Sequence, residues 1–82
     1  MRVTAQVSAY PLGQESFLPA IGAAIAALQG SGLEIQVGPL STLVTGDDEA
    51  VFAALRQAFL AAAAYGATVL VSTVTNACAT AA

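Results

Sequence analysis

The chain has no histidine, no tryptophan and a single cysteine in 82 residues. Its two cations are Arg2 and Arg56, so lysine is absent as well. Each absence removes a class of chemistry. Without histidine, a histidine-based triad, a His-containing metal site and an imidazole acid–base step are excluded within one chain. Without lysine, Schiff-base and P-loop chemistry are excluded. One cysteine, Cys78, offers no intrachain disulfide and fits a reducing compartment. Two arginines against a net charge of −3 leave little to neutralise phosphates, so nucleic acid is not an expected partner. No basic segment precedes a hydrophobic run, and no signal peptide is expected.

The carboxylates are Glu15, Glu34, Asp47, Asp48 and Glu49. The last three adjoin at an expected helix start, where capping and the helix dipole account for them. No metal site and no cofactor are therefore expected, and Cys78 has no base beside it in sequence to activate it. What remains is a set of hydroxyls, an amide and aromatics. These are Ser8, Tyr10, Ser41, Thr42, Ser72, Thr73 and Asn76, with Phe17 and Phe52 near helix starts. Such a set can hydrogen-bond and stack a flat polar heterocycle without performing chemistry on it. Strand propensity of serine and threonine accounts for the same residues equally well.

Hydrophobic residues make up 57% of the chain and charged residues 9%. Much of the excess is alanine, which adds little buried area per residue. Two readings stay open: a compositional bias toward alanine, or extra apolar surface for a subunit interface. The length implies one domain, residues 1–82, that buries roughly 60% of its unfolded surface. Self-association is the natural source of further stability. Residues 57–82 carry no charge. However, Gly66 interrupts the apolar run, residues 68–75 alternate, and flanking cations are missing. A spanning helix of about 20 apolar residues is not expected.

Taken in order, residues 3–10 alternate with period two. Val3, Ala5, Val7 and Ala9 share one face; Thr4, Gln6, Ser8 and Tyr10 share the other. Pro11 to Gln14 ends this strand. Ser16 is the expected cap of a helix from Phe17, with Leu18, Ile21, Ile25 and Leu28 on its buried side. Gly30-Ser31-Gly32 stops it. A second strand begins at Leu33, is broken at Gly38-Pro39 by a bulge or a hairpin, and continues over residues 40–45. Asp47 or Asp48 caps a second helix whose buried stripe is Val51, Phe52, Leu55 and Phe59. Tyr65-Gly66 closes it, and a last strand runs on from Val69 to Asn76. The alanine-rich tail, 79–82, is expected to be mobile. The order βαββαβ implies an α+β, ferredoxin-like sandwich: a four-stranded antiparallel sheet with two helices on one face.

Four segments resemble the thiamine-binding, YkoF-like family. They are Val7-Ser8-Ala9-Tyr10-Pro11-Leu12, Leu40-Ser41-Thr42-Leu43-Val44-Thr45-Gly46, Val51-Phe52-Ala53-Ala54 and Asn76-Ala77-Cys78. Their order and spacing agree with that family over nearly the whole chain. The resemblance implies a ferredoxin-like fold, a soluble cytoplasmic protein, and non-catalytic binding of thiamine or its hydroxymethylpyrimidine moiety as a carrier or salvage accessory. It also implies a homodimer or homotetramer, as in single-unit relatives. Carried over residue by residue, Ser41 and Thr42 match a hydroxyl pair, Ser8 and Tyr10 the first-strand motif, and Phe52 a helix-start aromatic, with Asn76 completing the expected ligand contacts. Thr45-Gly46-Asp47 stands where related single-unit sequences often carry Glu-Gly-Asp, so a carboxylate that could face a cationic ligand is missing. The alternative is an interaction module or regulatory subunit with no small-molecule ligand.

Overall fold

The computed structural model describes residues 1–77. The expectations for Cys78 and the 79–82 tail lie outside them. The elements are β1 (Arg2–Pro11), α1 (Leu18–Gln29), β2 (Glu34–Val37), β3 (Thr42–Asp47), α2 (Asp48–Ala63) and β4 (Thr68–Thr75). The strands form one antiparallel sheet in the order β2-β3-β1-β4. This is the ferredoxin-like arrangement expected from the sequence, and the break after Val37 is a hairpin turn.

The alternation in β1 sets both faces of the sheet. Val3, Ala5 and Val7 are buried and lie level with Gly46, Val44 and Thr42 of β3. The helices cover this side. Thr4, Gln6, Ser8 and Tyr10 face away, beside Leu43 and Thr45 on β3 and Val69, Val71 and Thr73 on β4. Thr4 and Thr45 approach to 3.3 Å across that open face.

Alanine dominates the interior. Ala20 and Ala24 on α1, and Ala54, Ala58 and Ala62 on α2, are buried together with Leu28, Val44, Val51 and Leu55. Small side chains let the two helices approach one another and the sheet closely, but leave few large anchors. The expected helix stripes are therefore only partly right. Leu18 is 76% exposed and Phe52 55% exposed, while Phe59 also reaches solvent. The alanines took the inward positions because a close helix–helix approach has no room for a phenyl ring.

The expected caps also differ. α1 begins after Phe17 with no side-chain cap, and Pro19 occupies its first turn, where a missing N–H costs nothing. Ser16 plays no capping part. Asp47 stands at the N-cap of α2 without capping it. Its carboxylate and that of Asp48 each accept a hydrogen bond from the Met1 amine at 3.2 Å. These acids hold the amine's pKa above its ordinary value, chiefly through the bond to Asp47. The amine, by its hydrogen bond, holds Asp48 below the usual carboxylate range. The contribution to stability is thus lost as pH falls through the lowered Asp48 pKa, and as it rises through the raised amine pKa. Both groups are exposed, so the effect is small. Asp48→Asn should flatten the acid limb of a thermal-stability profile against pH.

Candidate functional site

The site arises where the sheet gives out. β3 begins at Thr42, which pairs with Val7. β1 continues four residues further, through Ser8, Ala9, Tyr10 and Pro11, and there it pairs only with β4. The missing stretch of β3 is replaced by the turn of residues 38–41. A cleft of about 200 Å³ lies behind this turn, between α1 and the covered face of the sheet. Ile21, Ile25 and Leu28 of α1 wall it on one side, and Val7, Ala9, Val37 and Leu70 on the other. Tyr10, Ser8, Ser41, Thr42 and the 38–40 segment complete the lining.

Strand alternation separates the hydroxyl pair. Ser41 and Thr42 are adjacent in sequence, and successive strand residues point to opposite faces. The Ser41 hydroxyl accepts a hydrogen bond from the Gln6 amide at 3.0 Å on the open face. Ser8 donates to the Leu40 carbonyl at 3.3 Å. Both hydroxyls therefore tether the turn to β1. Thr42 faces inward and is 6% exposed. Its hydroxyl has no hydrogen-bond partner among the described residues. No sealed polar side-chain atom lacks a partner there, so this hydroxyl opens onto the cleft that Thr42 lines. Thr42 is thus the buried polar residue on the cleft wall.

Of the six expected ligand residues, Ser8, Tyr10, Ser41 and Thr42 come together at this cleft. Phe52 does not: it lies exposed on α2, outside the lining. Asn76 does not either. It follows β4 at the opposite end of the sheet, where Thr75 pairs with Thr4, and its amide approaches the Met1 sulfur at 3.2 Å. The apolar wall from α1 was not expected as part of a site. The helical spacing of Ile21, Ile25 and Leu28 carried that signal, but core packing accounts for such spacing equally well.

The turn is tightly built. Gly38 donates its N–H to the Ser41 carbonyl at 2.9 Å, and a Cβ on Gly38 would stand 2.9 Å from that same oxygen. Gly38→Ala should therefore distort the turn and cost about 1–3 kcal/mol, read as a lower melting temperature with weakened ligand binding.

Further depressions lie among the described residues, two of which are well formed. One lies on the open face of the same turn, lined by Gln6, Gln36 and Leu43. The other lies between the helices, lined mostly by alanines. Neither carries a buried, unpartnered polar group. No three His, Cys, Asp or Glu among the described residues could hold a metal ion, and no helix there is long and apolar enough to cross a membrane.

Solved structures share this fold closely. A domain of unknown function from Bacillus cereus superposes with a TM-score of 0.83 at 19% identity, covering 90% of this chain and 74% of that one. A hypothetical protein from Methanocaldococcus jannascii gives 0.83 at 22% identity, covering 92% and 79%. A Thermotoga maritima protein proposed to act in thiamine biosynthesis or salvage gives 0.79 at 22% identity, covering 90% and 82%. No curated protein sequence matches at a significant level. The family described as Thiamine-binding protein matches residues 5–76, which take in all of the sandwich but the first three residues of β1. The chain belongs to the thiamine-binding protein family.

Proposed function

We propose that this protein binds thiamine or its hydroxymethylpyrimidine moiety non-covalently, in the cleft between α1 and the sheet, without catalysis. The observation that carries the reading is Thr42, a residue 6% exposed whose hydroxyl has no partner among the described residues and opens onto a largely apolar cleft. An apolar slot with one or two placed polar groups is what orients a flat ring. Family membership supplies the ligand class. The absence of histidine and lysine from the sequence and the lack of a reactive pair among the residues lining the cleft favour carriage over chemistry. Calorimetric titration with thiamine and with hydroxymethylpyrimidine tests this. Saturable binding at one ligand per chain is expected; no heat with either ligand from folded protein removes the reading.

The open face of the sheet supports a second part of the proposal, assembly into a homodimer or homotetramer. Tyr10, Leu43, Val69 and Val71 are exposed there among Thr, Ser and Gln side chains, with the Arg2–Glu34 pair at one end of the face. Another copy of the same face would bury them. An interaction module without a ligand rests on this same face. Val71→Glu separates the two parts: the mass in solution should fall to that of the monomer while ligand titration persists. An unchanged mass would remove this face as the interface.

A further inference from the structure

We propose that the cleft selects an uncharged ligand and rejects one that brings a positive charge inside. The inference rests on the binding reading above and narrows it. Among the described residues the lining holds no Asp, Glu, Lys, Arg or His: it consists of aliphatic side chains, two serines, Thr42, Tyr10, Gly38 and Pro39. Two carbonyls of the turn that could otherwise face a cation are already engaged. Leu40 oxygen accepts from Ser8, and Ser41 oxygen accepts from the Gly38 amide.

The acids of the chain lie outside the lining, Glu49 among them in the first turn of α2. Asp47 ends β3, five strand residues and roughly 17 Å from Thr42, and with Asp48 it holds the Met1 amine. Glu34 faces Arg2 at 3.8 Å on the open face of the sheet. Glu15, on the β1–α1 loop, is exposed and outside the lining. A net charge of −3 draws cations toward the whole molecule, but that field is screened by salt. It does not offset the loss of hydration when an unpaired charge enters an apolar slot. A cation over the exposed Tyr10 ring gains too little to reverse this.

Thr42 then acts as the polar anchor for a neutral ring. A hydroxyl both donates and accepts, so it can pair with a ring nitrogen or an exocyclic amine. The volume of about 200 Å³ is below the roughly 300–1,000 Å³ of clefts that enclose drug-sized ligands. It suits one substituted ring.

The test compares two ligands of the same size that differ by one charge. Hydroxymethylpyrimidine is neutral in near-neutral buffer. Its aminomethyl analogue carries an ammonium group in place of the hydroxyl. Both are titrated calorimetrically into the intact protein at the same pH and salt. The neutral compound should bind at least about tenfold more tightly, a conservative figure for the burial of an unpaired charge. Equal or tighter binding of the ammonium compound overturns the charge selection and leaves the binding reading standing. Absence of saturable binding by both overturns the binding reading, and the selection with it.

Discussion

Leu28→Ala is expected to destabilise the fold by about 3 kcal/mol, within the 2–5 kcal/mol typical of such buried truncations. Leu28 is 2% exposed and is among the largest fully buried side chains, with Val44 and Val51. Around it the interior is mostly alanine and valine. Such neighbours cannot swing inward to fill the space that a lost isobutyl group leaves. A chain of this length has a total stability of roughly 4–12 kcal/mol, so the loss is a large share of it. The melting temperature should fall by roughly 12–24 °C, at 4–8 °C per kcal/mol for a small domain. Thermal unfolding followed by circular dichroism measures it. A fall of only a few degrees would mean that α1 settles onto the sheet and closes the gap. Since Leu28 also walls the cleft, that settling would itself change the site.

Thr42→Val is expected to weaken ligand binding by at least about tenfold while leaving the fold intact. The replacement keeps shape and branching and removes only the hydroxyl. The two serine hydroxyls at the site are tied up in holding the turn, so neither replaces it. Thr42 has no intramolecular side-chain hydrogen bond to lose. The melting temperature should therefore hold, because the hydroxyl that becomes a methyl group opens onto the cleft and bonds no other group of the described residues. This separation of stability from affinity sets Thr42 apart from Ser41. Ser41→Ala removes the acceptor for Gln6 and should loosen the turn and the binding together. Isothermal titration and thermal unfolding of both variants give the comparison. Unchanged affinity in Thr42→Val would remove it as the anchor.

The fold was legible because β1 and the sequence around Leu43 alternate cleanly, and because glycine and proline mark each turn. Period two allows only one assignment of inward residues, and Val3, Ala5, Val7 and Val44 follow it. The helices were less legible. Phe52 and Leu18 carry the larger hydrophobic side chains, yet Ala54, Ala58, Ala20 and Ala24 face inward. How closely two helices approach is decided by tertiary packing, which periodicity does not contain. The cleft was half legible. The hydroxyl motifs marked the turn and strand end, but adjacency in sequence concealed that Ser41 and Thr42 face opposite sides. Asn76 was grouped with them by motif, whereas strand direction carries it to the far end of the sheet. The α1 wall gave no separate signal, because its aliphatic spacing is that of any core-facing helix.

The most direct test of the central claim is a titration of isotopically labelled protein with hydroxymethylpyrimidine, followed by amide chemical shifts. The account predicts saturable changes clustered at residues 7–10, 21–28 and 37–42, with the Thr42 amide among them and the α2 amides near Phe52 unmoved. Saturable changes confined to the open face of the sheet or to the groove between the helices would contradict it. So would a folded protein whose spectrum does not change at all.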